Sequence, residues 1–147
     1  MAEVLVFHLA GQRFALASTV VREVVRAVAV VPLPNAPPIV EGVIDYRGTI
    51  VPVLDIRARF ALPAAPLDVH QHFIVADAQR RVAIRTDRVA QVLPIDATQT
   101  HEIEDAAPYI TGVVQLDDGL VLIHDLATFL SADEVTTLDH AIAEAEG

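Results

Sequence analysis

The sequence predicts an all-β protein built from two similar small barrels and closed by one C-terminal helix. Three observations carry this reading. Val and Ile dominate short runs separated by turn residues, which favours strands over helices. A hairpin-like block recurs 70 positions downstream, and a block before it recurs at 68. Helical spacing behind a capping signal is found after Ser131.

The first unit opens with strand-like runs at Val4–Leu9 and Arg13–Leu16. A short turn at Ser18–Val21 follows, with Ser18 as its expected cap. A further strand leads into Pro32–Pro38, PLPNAPP, an extended and stiff segment that positions the chain before Ile39. Residues 41–60, EGVIDYRGTIVPVLDIRARF, then read as a hairpin around the corner Asp45-Tyr46-Arg47-Gly48. The connection Ala61–Asp68 contains Pro63 and Pro66. The second unit repeats the plan with runs at Phe73–Ala76 and Arg81–Arg85 and a turn at Thr86–Val89, capped by Thr86.

The repeat is specific in its spacing. Gly42, Val43, Val51 and Asp55 recur as Gly112, Val113, Val121 and Asp125, and Val21, Val24 and Val25 correspond to Val89, Val92 and Leu93. The two-residue difference between the blocks falls in a loop, where length changes are tolerated. At the tip the copies differ: Asp117-Asp118-Gly119 stands where the first has its arginine corner. The chain ends in a helix over 131–147, with Ser131 and Glu134 as a capping box and Val135, Leu138, Ile142 and Ala145 on one face. The expected organisation is one domain over 1–147. It comprises a first barrel over 1–66, a second over 67–130, and the helix.

Composition narrows function. The 147 residues are 53% hydrophobic, so the core is large or apolar surface is left for a partner. The net charge of −10 opposes nucleic-acid binding and an acidic membrane surface. No apolar run reaches a membrane span, no signal peptide is expected, and the cytoplasm is the default location. All ten basic residues are arginine, and there is no cysteine to supply a disulfide, thiolate ligand or nucleophile.

No catalytic site is expected. Ser18 and Ser131 read as caps, and no phosphate-binding or nucleophile motif appears. His70 and His72 lack a third ligand at suggestive spacing, so no metal or cofactor is expected. His101, Glu102, Glu104 and Asp105 read as a solvated acidic loop. Asp55 and Asp125 read as equivalent strand ends or turn caps. Arg47 has Asp45 or Glu41 as nearby carboxylates, but a surface ion pair is worth only about 0–1 kcal/mol. Stability alone does not require an arginine there, which leaves binding as the stronger reading.

Glu23-Val24, the loop with Pro34 and Pro37, and GVIDYRGTIVPVLDI resemble the CheW family of chemotaxis coupling proteins, which typically shows GV-x-NLRG-x-x-x-P-V-x-D-L. The resemblance extends through Phe14-Ala15-Leu16, Ile110-Thr111-Gly112, Leu122–Leu126 and the Ser-x-x-Glu helix. It implies two packed five-stranded SH3-like barrels around a shared core. It also implies a non-catalytic adaptor joining the tip of a methyl-accepting chemotaxis receptor to the regulatory domain of the histidine kinase CheA. In that family the receptor lies in an apolar groove between the barrels. The implied partner-binding residues are Val21, Glu23, Val24, Asp45, Arg47 and Val89.

Two departures bear on partner choice. Asp45-Tyr46 replaces Asn-Leu, and an ionised aspartate only accepts hydrogen bonds. Arg85 and Arg88 stand where small or apolar residues are common, and would change the groove's charge if they lined it. The competing readings are a ligand- or nucleic-acid-binding barrel, and an enzyme using His70, His72 and a carboxylate.

Overall fold

Short β-branched runs form strands throughout. The computed structural model describes residues 2–96, 98–102 and 109–146. The strands are β1 (Ala2–Leu9), β2 (Gln12–Ala17), β3 (Val21–Arg26), β4 (Val40–Tyr46), β5 (Thr49–Leu54), β6 (His72–Asp77), β7 (Arg81–Thr86), β8 (Arg88–Ile95), β9 (Thr100–His101), β10 (Ile110–Leu116) and β11 (Gly119–His124). One helical turn, α1 (Ile56–Arg59), follows β5, and α2 (Ala132–Glu146) closes the described chain. The expected acidic-loop residues Glu104 and Asp105 lie outside the described residues.

The strands form a five-stranded sheet ordered β3-β6-β7-β5-β4 and a six-stranded sheet ordered β8-β1-β2-β11-β10-β9. The two sheets draw on both halves of the chain. Parallel pairing of β5 with β7 sets Val53 opposite Ala83, and that of β11 with β2 sets Ile123 opposite Ala15. These pairs are equivalent under the offsets of 70 and 68. Strand pairing therefore crosses residue 66: β6 and β7 complete the sheet of β3–β5, while β1 and β2 complete that of β8–β11. The repeat describes the order of local elements. Which hairpin each accepts as a neighbour is decided only by tertiary pairing.

Each sheet curls to meet itself. Beyond β3, Val31 bridges back to Val43 of β4, and beyond β8, His101 pairs with Val113 of β10. Gly42 and Gly112 make these contacts feasible: an added Cβ would lie 2.3 Å from the Val31 carbonyl oxygen at the first and 2.9 Å from that of His101 at the second. The register slips beside both glycines, between Val40 and Gly42 and between Ile110 and Gly112. Asp55 N donates to Ile39 O at 2.8 Å and Asp125 N to Tyr109 O at 2.7 Å, again 70 apart. Asp55 also caps α1 by accepting from Arg57 N, and Asp125 accepts from Thr128 Oγ1.

Strands buried on both faces read as nearly continuous apolar runs. Leu5, Phe7 and Leu9 of β1 enter a central core together with Ile74 and Ala76 of β6. The alternate residues Val4 and Val6 fill the interior of the six-stranded sheet, while Phe73 and Val75 fill that of the five-stranded one. The two interiors thus flank one shared core, which α2 covers with Leu138, Ala141 and Ile142. The capping box forms as read: Glu134 N donates to Ser131 Oγ, and Ser131 N donates to Glu134 Oε1. Ala145, expected on the buried face, is exposed, and Ala141 takes its place. Asn35 of the proline-rich loop donates to Glu144, so this loop lies against the helix.

Other local expectations change. The turn at Ser18–Val20 forms, but no side chain caps it. Thr86 is a fully buried end of β7 whose hydroxyl donates to His72 O, rather than a cap. His70 precedes β6, so it does not share a strand face with His72. His124, the counterpart of Leu54, is buried against Phe60 and Phe129, and neither ring nitrogen is hydrogen-bonded among the described residues. Burial pushes its pKa down to about 4, against a smaller opposing pull from Asp125. Among the described residues, no helix is long and apolar enough to cross a membrane.

Candidate functional site

The β4–β5 hairpin closes with Tyr46 opposite Thr49, leaving Arg47 and Gly48 as its loop. Both have positive φ, 52° and 83°, as the type I′ turn demands. Gly48 adopts this freely, whereas Arg47 bears a cost on the order of 1 kcal/mol for a left-handed L-residue. Asp45 Oδ1 accepts from Gly48 N at 2.8 Å and braces the turn. The aspartate thus performs a backbone-bonding role that needs only an acceptor.

Arg47 pairs with neither Asp45 nor Glu41. Its Nη2 lies 2.7 Å from Oε1 and 2.9 Å from Oε2 of Glu23, which β3 brings alongside. A bulge between Val21 and Glu23 on β3 locally re-aims this strand. Tyr46 Oη donates to Glu23 Oε1 at 2.5 Å, while its ring is buried in the interior of the five-stranded sheet. The Arg47 guanidinium lies over that ring, 5.4 Å from its centroid, and is 72% exposed. The hydrogen bond from Tyr46, assisted by Arg47, holds the Glu23 carboxyl below its ordinary pKa despite desolvation. The same bond raises the Tyr46 hydroxyl, which stays protonated as a donor. Glu23, Tyr46 and Arg47 therefore form one fixed corner, with Arg47 outermost.

The apolar candidates lie elsewhere. Val21 and Val24 on β3, and Val89 on β8, each pack half-buried against the central core. Val21 and Val24 belong to the five-stranded sheet, which also carries the charged corner, and Val89 to the six-stranded one. Glu41 instead binds Arg85 with both oxygens, at 2.6 and 2.9 Å. Arg85 is buried and also donates to Gln71 Oε1, so it is an interior residue with its charge neutralised. Arg88 is exposed, with Nη2 3.0 Å from His8 Nε2.

Sequence reading missed two arrangements. One is the Tyr46 hydroxyl bond, whose only sequence signal was a tyrosine in place of the motif's leucine. The other is an interior network in which Arg57 Nη2 donates to both oxygens of Asp87, joined by Gln71 and Ala10 N. Burial alone would raise the Asp87 carboxyl, but hydrogen bonds from Ala10, Gln71 and Arg57 overcome this and lower it. This network ties α1 to the β1–β2 turn and the segment before β6. Among the described residues, no cluster of His, Cys, Asp and Glu is arranged to hold a metal ion.

Comparison with known proteins agrees with this architecture. The model of the CheW-like domain matches residues 3–134. A chemotaxis protein CheW from Klebsiella aerogenes is 30% identical, over 94% of this chain and 87% of its own length. One from Rhizobium meliloti is 28% identical, over 90% and 89% respectively. The crystal structure of the CheW scaffolding protein from Thermoanaerobacter tengcongensis superposes with a TM-score of 0.81 at 25% identity, covering 90% of each chain. With its family model matching residues 3–134 and its two sheets packed around one core, this chain belongs to the CheW-like family.

Proposed function

We propose that this chemotaxis adaptor joins the cytoplasmic tip of a methyl-accepting receptor to the regulatory domain of the histidine kinase CheA, and is recruited to receptor arrays in the cytoplasm. No chemistry in this chain is required: the signal is a change in relative geometry. The half-buried valines Val21, Val24 and Val89 support recognition of a receptor helix by its apolar side chains. Glu23, Asp45 and Arg47 support orientation at the charged corner, where rim charges act more on specificity and association rate than on raw affinity.

One observation carries the reading. Arg47 occupies a left-handed loop position, where glycine or asparagine costs less, and exposes 72% of its side chain. Its ion pair with Glu23 is too exposed to explain that placement through stability. Calorimetry with the cognate receptor fragment and the CheA regulatory domain tests the proposal. Arg47→Glu is expected to weaken complex formation about 10–100-fold without changing the melting temperature. Unchanged affinity would remove Arg47 from the contact, and absence of binding by the unaltered protein would reject the adaptor pairing.

A further inference from the structure

Tyr46 carries an oxygen that packing does not need. Its ring lies among Ile44, Val51, Val53, Phe73 and Val75. At the equivalent position of the second unit, Leu116 packs against the interior of the other sheet. An apolar side chain therefore satisfies this place in the repeat, and the hydroxyl calls for a separate account.

That hydroxyl reaches Glu23, 23 positions earlier, at 2.5 Å. Glu23 in turn receives Arg47 Nη2, and the Arg47 guanidinium rests over the Tyr46 ring. Tyr46 thus touches both charged members of the corner, one through its oxygen and one through its ring face. Holding two long charged side chains in one geometry costs conformational entropy, which usually cancels much of an exposed pair's attraction. A buried ring with an anchored hydroxyl removes part of that freedom, because its position is already fixed by the barrel interior.

We propose that Tyr46 is a positioning residue for partner recognition: its hydroxyl fixes Glu23, and Glu23 with the ring fixes Arg47 so that its Nη1 faces a carboxylate on the partner. This rests on the reading of the corner as a contact. Both Glu23 oxygens are engaged within the chain, whereas among the described residues Arg47 bonds only through Nη2. The corner consequently offers donors, and a guanidinium presents these most effectively to a carboxylate.

The test compares the unaltered protein, Tyr46→Phe, Glu23→Gln and the double variant by calorimetry against the receptor fragment and the CheA regulatory domain, with carboxyl NMR following Glu23. Phenylalanine keeps the ring and removes only the oxygen. Tyr46→Phe is expected to weaken binding about 5–10-fold, the loss of one hydrogen bond to a charged group. It should also raise the Glu23 titration midpoint, and have a clearly smaller effect when Glu23 is glutamine, whose neutral amide oxygen accepts the bond more weakly. A role in packing alone would move neither the midpoint nor the coupling. The proposal is overturned if Tyr46→Phe binds within about twofold of the unaltered protein while Arg47→Glu does not bind. It is also overturned if the losses from Tyr46→Phe and Glu23→Gln simply add. If the unaltered protein binds neither partner, the adaptor pairing fails, and the role of Tyr46 falls with it.

Discussion

The hairpins β4–β5 and β10–β11 share a scaffold and differ at their tips. Both have a register slip beside a glycine, a strand crossing close to that glycine, and an aspartate N–H bonded to the residue 16 positions before it. These features close a sheet upon itself, so both copies meet the same physical demand. The tips are free of it. The first combines Glu23, Tyr46 and Arg47, while the corresponding residues of the second are Gln91, Leu116 and Asp117. Neither Asp117 nor Asp118 has positive φ, so the second loop also takes a different path. Fold closure explains what the copies share, and the proposed partner contact would account for what only one has.

The largest expected effect tests the shared scaffold. At Gly42 an added Cβ meets backbone at 2.3 Å, and φ is 157°; at Gly112 the nearest backbone oxygen is 2.9 Å away. Overpacking against backbone cannot be relieved by a rotamer change. Gly42→Ala should therefore cost more than about 3 kcal/mol, and Gly112→Ala about 1–2 kcal/mol, in urea unfolding. Equal costs would show that the distance of backbone approach does not set the cost, and free tolerance of alanine at either glycine would break the shared account of closure.

His124 marks a second break in the symmetry, because its counterpart Leu54 is an ordinary core residue. Two unpartnered ring nitrogens in an aromatic surround are an unfavourable use of buried space. His124→Leu should stabilise the fold by about 1–2 kcal/mol at pH 7. The acid dependence has a definite sign. The folded-state pKa is about 4 against 6.5 for an ordinary histidine, so the unfolded chain takes the proton first as pH falls. Stability contributed by the neutral ring is complete above about pH 6.5 and falls by roughly 3 kcal/mol as pH approaches 4. Unfolding curves for the leucine variant should lack this component, and an unchanged pH profile would place the acid sensitivity elsewhere.

Local order was legible in the sequence, and long-range pairing was not. The β4–β5 and β10–β11 hairpins, the capping box of α2 and the equivalence of Asp55 and Asp125 are written in short-range patterns: turn residues, spacing and repeated identities. The exchange of β6–β7 and β1–β2 between sheets leaves no local trace, because an apolar strand buried on both faces accepts either neighbour. Thr86 misread as a cap for a similar reason: a threonine at a strand end is also a good cap residue, and only the proximity of His72 O decides between them. At the site, Arg47 stood out by charge and turn position. The hydroxyl bond from Tyr46 to Glu23 links two strands that are not adjacent in their sheet, which no spacing rule reports.

The smallest expected effect asks whether the corner acts by charge alone. Asp117→Arg places a guanidinium at the second tip, where Gln91 and Leu116 supply neither carboxylate nor hydroxyl. The position is exposed, so stability should change by less than about 0.5 kcal/mol. Net charge moves by two units towards neutrality, which favours encounter with an acidic partner but holds nothing in place. If recognition depends on a positioned arginine, affinity for the CheA regulatory domain and for the receptor fragment should stay within about twofold, and grafting Gln91→Glu with Leu116→Tyr should then be needed to alter it. A clear gain from Asp117→Arg alone would mean that an unanchored cation suffices. The difference between the two tips would then lie in charge, and the fixed geometry of Glu23, Tyr46 and Arg47 would lose its claim to a role in binding.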